Sequence, residues 1–263
     1  MIHSQIGRIL KTLGFSLDKK NSAETKHQKK TFPDSKFTPF IVLTRSRTGS
    51  SMLISFLDSH PNIIAEGEIF HTIKDNDCLT LLEKVFAQQS PHIKAKGFKI
   101  FYYHPLDDEQ SDIWKHLVNI KNLHVIHLKR RNILRTLISR KIAGSQKVWS
   151  VKKASNFLIP SQSKSIEFNA LELEKGFIVT REWEKKGDDL FRNHPLLNVF
   201  YEDLVKEPEE SFKKITGFLG VCYVQPSTDL QKQNPEKTTD LLLNFDELKS
   251  HFANTEWQQF FDG

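Results

Sequence analysis

Phe40-Ile-Val-Leu43-Thr44-Arg45-Ser46-Arg47-Thr48-Gly49-Ser50-Ser51-Met52-Leu-Ile-Ser-Phe-Leu-Asp58 is the stretch on which the reading of the chain turns. Phe40 to Leu43 is a short, wholly apolar and largely β-branched run, the pattern of a strand buried on both faces. A polar turn follows from Thr44 to Gly49, and Met52, Leu53, Phe56 and Leu57 then recur at helical spacing. Strand, small-residue turn and helix in that order build an anion cradle. The turn's backbone N–H groups and the helix N-terminus converge on one point, where a phosphate can sit. The usual nucleoside-triphosphate loop needs a lysine directly after its second glycine. Here Ser50 follows Gly49, and the cations, Arg45 and Arg47, come before it.

Working outward, the second informative stretch is His127-Leu-Lys129-Arg130-Arg131-Asn132-Ile-Leu-Arg135-Thr-Leu-Ile-Ser139-Arg140. In a magnesium-dependent NTPase a core strand ends in an aspartate that holds the metal. This strand, expected over Leu123 to Leu128, ends in three cations, which suits a further phosphate. With a helix starting near Asn132, Arg131, Arg135 and Ser139 share one stripe at i, i+4 and i+8. Arginine offers planar bidentate donors to phosphate oxygens, and the serine hydroxyl adds one more. A third stretch, Glu66-Gly67-Glu68-Ile-Phe70, places two acids just after a short strand over Asn62 to Ala65, at the same sheet end as the loop.

These segments together resemble the sulfotransferases that use 3′-phosphoadenosine 5′-phosphosulfate (PAPS) and release 3′-phosphoadenosine 5′-phosphate (PAP), in particular the bacterial carbohydrate and glycolipid type. Their 5′-phosphosulfate loop reads Lys/Arg-Ser-Gly-Ser/Thr-Ser/Thr, and Arg47-Thr48-Gly49-Ser50-Ser51 matches it. The resemblance implies that Arg47 meets the 5′-phosphate, that Thr48 to Ser51 hold the rest of the group, and that Arg45, in the same loop, also binds the cofactor. The family's 3′-phosphate motif has an arginine at a strand end and a serine eight residues on. Arg131 and Ser139 carry that spacing, with Arg130 as a supporting charge.

By the same resemblance an acid in the Glu66–Phe70 segment is the general base, best matched by Glu68 with Glu66 as runner-up, and Lys99 assists at the departing phosphate. Lys232, in Lys232-Gln-Asn-Pro235, reaches the cofactor from the C-terminal side. Two departures are visible. The cytosolic branch has Lys-Thr-His at the end of its third strand, whereas this chain reads Lys99-Ile100-Phe101, with His104 three positions beyond the histidine's place. Met52 stands where those enzymes often carry a tryptophan.

The chain's 263 residues suit one large α/β domain, and 38% hydrophobic content supplies its core. The formal charge of +6 points to an anionic partner. Strands alternating with helices predict a P-loop-like, doubly wound, mainly parallel sheet with helices on both faces. Residues 37–263 form the sulfotransferase domain on this reading, and 1–36 an amphipathic, basic appendage and linker. The apolar stripe of residues 1–17 (Ile2, Ile6, Ile9, Leu10, Leu13) suits a helix packed on the domain and is short for a membrane-surface helix.

Residues 144–170 read as an irregular insertion on the substrate side. Cys78 and Cys222 give no disulfide framework, which suits a reducing, cytoplasmic setting, and no zinc-ligand spacing occurs. The expected activity is metal-free sulfuryl transfer to a carbohydrate or glycolipid hydroxyl. Two rivals are weaker. A P-loop kinase lacks its Gly-Lys, and a nucleic-acid binder would interleave its aromatics with a basic surface stripe.

Overall fold

The computed structural model describes residues 36–74, 76–87, 89–146, 165–230 and 236–262. The appendage up to residue 35, most of the expected insertion (147–164) and Lys232 lie outside the described residues.

Five strands form one sheet: β1 (Thr38–Thr44), β2 (Ile63–Glu66), β3 (Ala95–Phe101), β4 (His124–Lys129) and β5 (Leu196–Phe200). All pairings are parallel and the spatial order is β2-β3-β1-β4-β5. The first strand is thus central, and the chain fills one side of it before the other. That reversal makes a topological switch point at the carboxyl end of β1, where open α/β sheets bind their ligands.

The apolar run that predicted a doubly buried strand is divided by the pleat. Ile41 and Leu43 pack with helix α2 (Cys78–Val85), helix α3 (Ile113–Val118) and Trp183 of the long helix α5 (Ala170–Leu190). Phe40 and Val42 face the opposite layer, of helix α1 (Ser50–Asp58) and helix α7 (Pro208–Phe218). Each such side chain taken from water contributes roughly 1.5–3 kcal/mol before chain entropy is counted. Phe40 also sets its neighbour's identity. A Cβ on Gly97 of β3 would lie 2.0 Å from the Phe40 carbonyl oxygen and 2.6 Å from its ring. A third cluster, of helix α4 (Ile133–Gln146), α5 and the C-terminal segment, covers the far end.

Two segments depart from the sequence reading. From its residues alone, Leu196-Leu-Asn-Val-Phe-Tyr201 reads as one strand ending in Glu202-Asp203. The strand stops at Phe200, and Tyr201–Lys206 forms a short helix, α6. Glu202 in its first turn accepts the backbone N–H groups of Arg131 and Asn132, at 3.1 and 3.3 Å. Thr239 to Phe252 reads from its residues as one helix, but it is broken into α8 (Thr238–Leu241) and α9 (Phe245–His251). Between them the backbone is diverted to pair with Ile166, through Leu243 N–H to Ile166 O at 2.9 Å and Ile166 N–H to Leu241 O at 2.8 Å. No helix among the described residues is long and apolar enough to cross a membrane.

Candidate active site

The loop after β1 is held from below. Thr44 Oγ1 donates to the carbonyl of Leu128 in β4 at 2.7 Å and lies 2.5 Å from Thr48 Oγ1, which donates to Arg45 O at 2.8 Å. Thr48 therefore spends its hydroxyl inside the loop. What it can offer an anion is backbone. Arg47 and Gly49 both have left-handed backbones, φ 70 and 87, and such alternation turns successive N–H groups towards one concavity. At Gly49 the requirement is double, because a Cβ would also sit 2.3 Å from the ring of Tyr201. Tyr201 in turn lies under Arg130, whose guanidinium is 4.6 Å from the ring centroid.

The two arginines of the loop go opposite ways. Arg45 is buried and turns beneath the loop, donating to Thr180 Oγ1 and lying 5.4 Å from the Trp183 ring centroid. Burial first, then Arg140, pushes it down to about 10. Arg47 turns towards α4, and its Nε donates to Ser139 Oγ at 3.0 Å. Arg130 adds a bond from its guanidinium to the Arg47 carbonyl at 3.3 Å. Burial lowers both Arg47 and Arg130 below the ordinary guanidinium range.

Among the described residues, Arg45 Nε, Ser46 Oγ and Arg130 Nε are buried without a hydrogen-bond partner. An unpaired buried hydroxyl is costly, and Ser46 Oγ in the loop fits a bound anion such as the 5′ end of PAPS, whereas Arg45 Nε lies beneath the loop and Arg130 Nε is 3.9 Å from Glu202 Oε1.

The arginine stripe of α4 starts from Asn132, whose side chain accepts Arg135 N–H at 3.1 Å and caps the helix as expected. Its members then fan apart. Ser139 meets Arg47. Arg135 donates to the Glu236 carbonyl at 2.9 Å. Arg131, expected to work with Ser139, is half exposed and forks onto Asp203 at 2.6 and 2.8 Å. The structure thus brings Ser139 to the loop and holds Arg131 on α6. Arg130, given only a supporting part by the sequence, is the cation that reaches the loop.

On the other flank, Lys99 Nζ in β3 is 3.0 Å from Glu68 Oε1 and 3.4 Å from Ser51 Oγ. Glu66 pairs instead with Lys96 at 3.6 Å. His104, beyond the end of β3, places Nε2 3.7 Å from Glu68 Oε2. With His71, these residues bring ligand-type atoms within 4.8 Å of one another. Beneath this face, Tyr102 OH, His127 and Asp188 form a chain of 2.7 and 2.8 Å bonds that Lys129 closes at 2.7 Å. The sequence reading missed Tyr201 as the ring that the loop packs on and His104 as a neighbour of Glu68. Gly49 alone signalled that something large comes close.

Comparison with known proteins shows the family. Residues 37–258 match the family described as "Sulfotransferase domain". The chain is 28% identical over 243 residues to Nodulation protein H of Rhizobium tropici, covering 85% of this chain and 93% of that protein. It is 27% identical over 239 residues to Nodulation protein H of Rhizobium meliloti (strain 1021), covering 85% and 95%. Among solved structures, a sulfotransferase from Alicyclobacillus acidocaldarius superposes with a TM-score of 0.52 at 16% identity over 81% of this chain and 90% of that one, a likeness of fold. Because the family match runs from β1 and its loop through α4 and on to the C-terminal segment, the chain belongs to the sulfotransferase family and is a sulfotransferase, whose sulfuryl donor is PAPS.

Proposed function

We propose that the chain moves the sulfuryl group of PAPS to a hydroxyl of a carbohydrate or glycolipid acceptor, with Glu68 as general base. The observation that carries this reading is the position of Lys99, one buried cation within 3.0 Å of Glu68 and 3.4 Å of Ser51. It ties the base to the cofactor loop, so that proton acceptance and phosphate departure share one small volume. When bound, PAPS supplies the sulfuryl group and an adenosine bisphosphate leaving group. Glu68 accepts the hydroxyl proton. Arg47, Lys99 and the N–H groups of Thr48 to Ser51 hold the charge that collects on the departing phosphate, and this chemistry needs no metal.

Arg131 and Ser139 are assigned to the 3′-phosphate, with Arg131 released from Asp203 to reach it, and Lys232 to the C-terminal side of the cofactor. Arg45 supports the loop from beneath. The acceptor class rests on the resemblance to carbohydrate-type enzymes. Both cysteines are free, which supports action in the cytoplasm.

The test is Glu68→Gln, assayed as PAP release from PAPS with water or methyl glucoside as the hydroxyl donor. Loss of a general base costs about 10²–10⁴-fold. The kcat should fall by that factor while PAP affinity stays within about two-fold. Glu66→Gln, tied to Lys96, should do far less. Near wild-type kcat in Glu68→Gln would overturn the assignment.

A further inference from the structure

His104 has no part in the chemistry described so far, yet both its backbone and its ring are held in place. It is buried. Its backbone N–H donates to Phe101 O at 3.0 Å, and its carbonyl accepts Trp114 Nε1–H at 3.1 Å. Its ring lies 4.7 Å from Phe101, 5.4 Å from His71 and 5.5 Å from Tyr103. Nδ1 accepts the Phe101 N–H at 3.3 Å. In the neutral ring that leaves the proton on Nε2. Nε2 is buried with no hydrogen-bond partner among the described residues, and it faces Glu68 Oε2 at 3.7 Å.

The titratable groups that face the ring are Glu68 and His71, from the segment after β2, and Lys99 from β3. Burial first, then His71 and Lys99, push the imidazolium down to about 3. At working pH His104 is neutral, so it has an N–H to give and no charge to compete with Lys99. A metal is a poorer occupant of the Glu68–His71–His104 group, because the proton on Nε2 blocks ligation and Lys99 already holds Glu68 Oε1.

We infer that His104 is a positioning residue, whose Nε2–H takes Glu68 Oε2 while Lys99 takes Oε1, so that the carboxylate presents its remaining lone pairs to the incoming hydroxyl. The inference rests on the reading of Glu68 as base. In that role the N–H matters chiefly when Lys99 is drawn to the cofactor phosphate, since His104 is then the donor that keeps Glu68 from swinging away.

The experiment is a double-mutant cycle on the full chain, with PAP release from PAPS as readout. His104→Phe keeps ring volume and removes the donor, whereas His104→Gln returns an N–H near the place of Nε2. His104→Phe should lower kcat about ten-fold, leave the KM for PAPS unchanged, and be largely rescued in His104→Gln. In the Glu68→Gln background the same exchange should cost less than about two-fold, because no base remains to position.

Equal losses in both backgrounds, a His104→Gln no better than His104→Phe, or wild-type kcat in His104→Phe would overturn it. Inactivation by EDTA with recovery on adding zinc would overturn it too, by making Nε2 a ligand. A silent Glu68→Gln would instead strike the base assignment, and the cycle separates the two failures.

Discussion

The loop after β1 and the start of α4 face one adenosine bisphosphate on our reading, yet they are built from opposite materials. The loop half is backbone, fixed from beneath by the Thr44–Leu128 and Thr48–Arg45 bonds and walled by Tyr201. The α4 half is side chain. Arg131 is half exposed and already satisfied by a bidentate carboxylate. The backbone of the first half is already shaped for an anion. The second must exchange one anionic partner for another, so it should add selectivity more than raw affinity.

The harshest way to break this contrast is Gly49→Ala. The new methyl meets both a left-handed backbone and the Tyr201 ring, a cost of about 2–4 kcal/mol in stability. On the proposal that the loop holds the 5′ end of PAP, its affinity should fall by more than about 100-fold. Thermal melting with titration calorimetry checks both. An unchanged PAP affinity would show that the loop backbone is not the binding surface.

Next in size is Arg131→Ala. Loss of one charge-assisted phosphate contact costs about 1.5–3 kcal/mol, one to two decades in PAP affinity, while 5′-AMP binding stays level. Asp203→Asn probes the same side more gently. Stability should change by less than about 1 kcal/mol, since the pair is exposed. PAP affinity should rise by about two- to five-fold as the competing anion is lost. A fall would mean that Asp203 aims Arg131 instead of holding it back.

The last effect is on stability and depends on pH. Burial raises the Glu184 carboxyl on α5 from its ordinary 4.5 to about 7. A carboxyl with a raised folded-state pKa favours the folded state while protonated and loses that benefit as pH climbs from about 4.5 through about 7. The wild type should therefore lose stability between pH 5 and pH 8, by on the order of 1–2 kcal/mol from this group. Glu184→Gln should flatten that slope, with a higher Tm at pH 8 and little change at pH 5. Parallel Tm–pH curves for the two proteins would refute it.

The contrast also explains what could be read from residues alone. The β1–loop–α1 unit was legible because it is local: an apolar run, a glycine and a serine pair are contiguous and encode a backbone shape. The parallel sheet was legible for the same reason, from apolar runs alternating with helical periods. Side-chain partnerships across the fold were not. The eight-residue spacing places Arg131 and Ser139 on one helix stripe, but which of Arg130 and Arg131 turns inward is decided by Asp203, 72 residues away in sequence. His104 looked misplaced because counting along a strand fails once the strand ends. A turn from Phe101 to His104 folds the ring back beside Glu68. Tyr201 was hidden because Phe200 and Tyr201 continue an apolar run, while the chain turns helical between them.

The most direct test of a site built for phosphate at both ends of adenosine is calorimetric titration of the wild-type chain with PAP and with 5′-AMP in the same buffer. The loop half alone should hold both nucleotides, and the α4 half should add about one to two decades for PAP. Equal affinities for the two nucleotides would contradict the account at its centre.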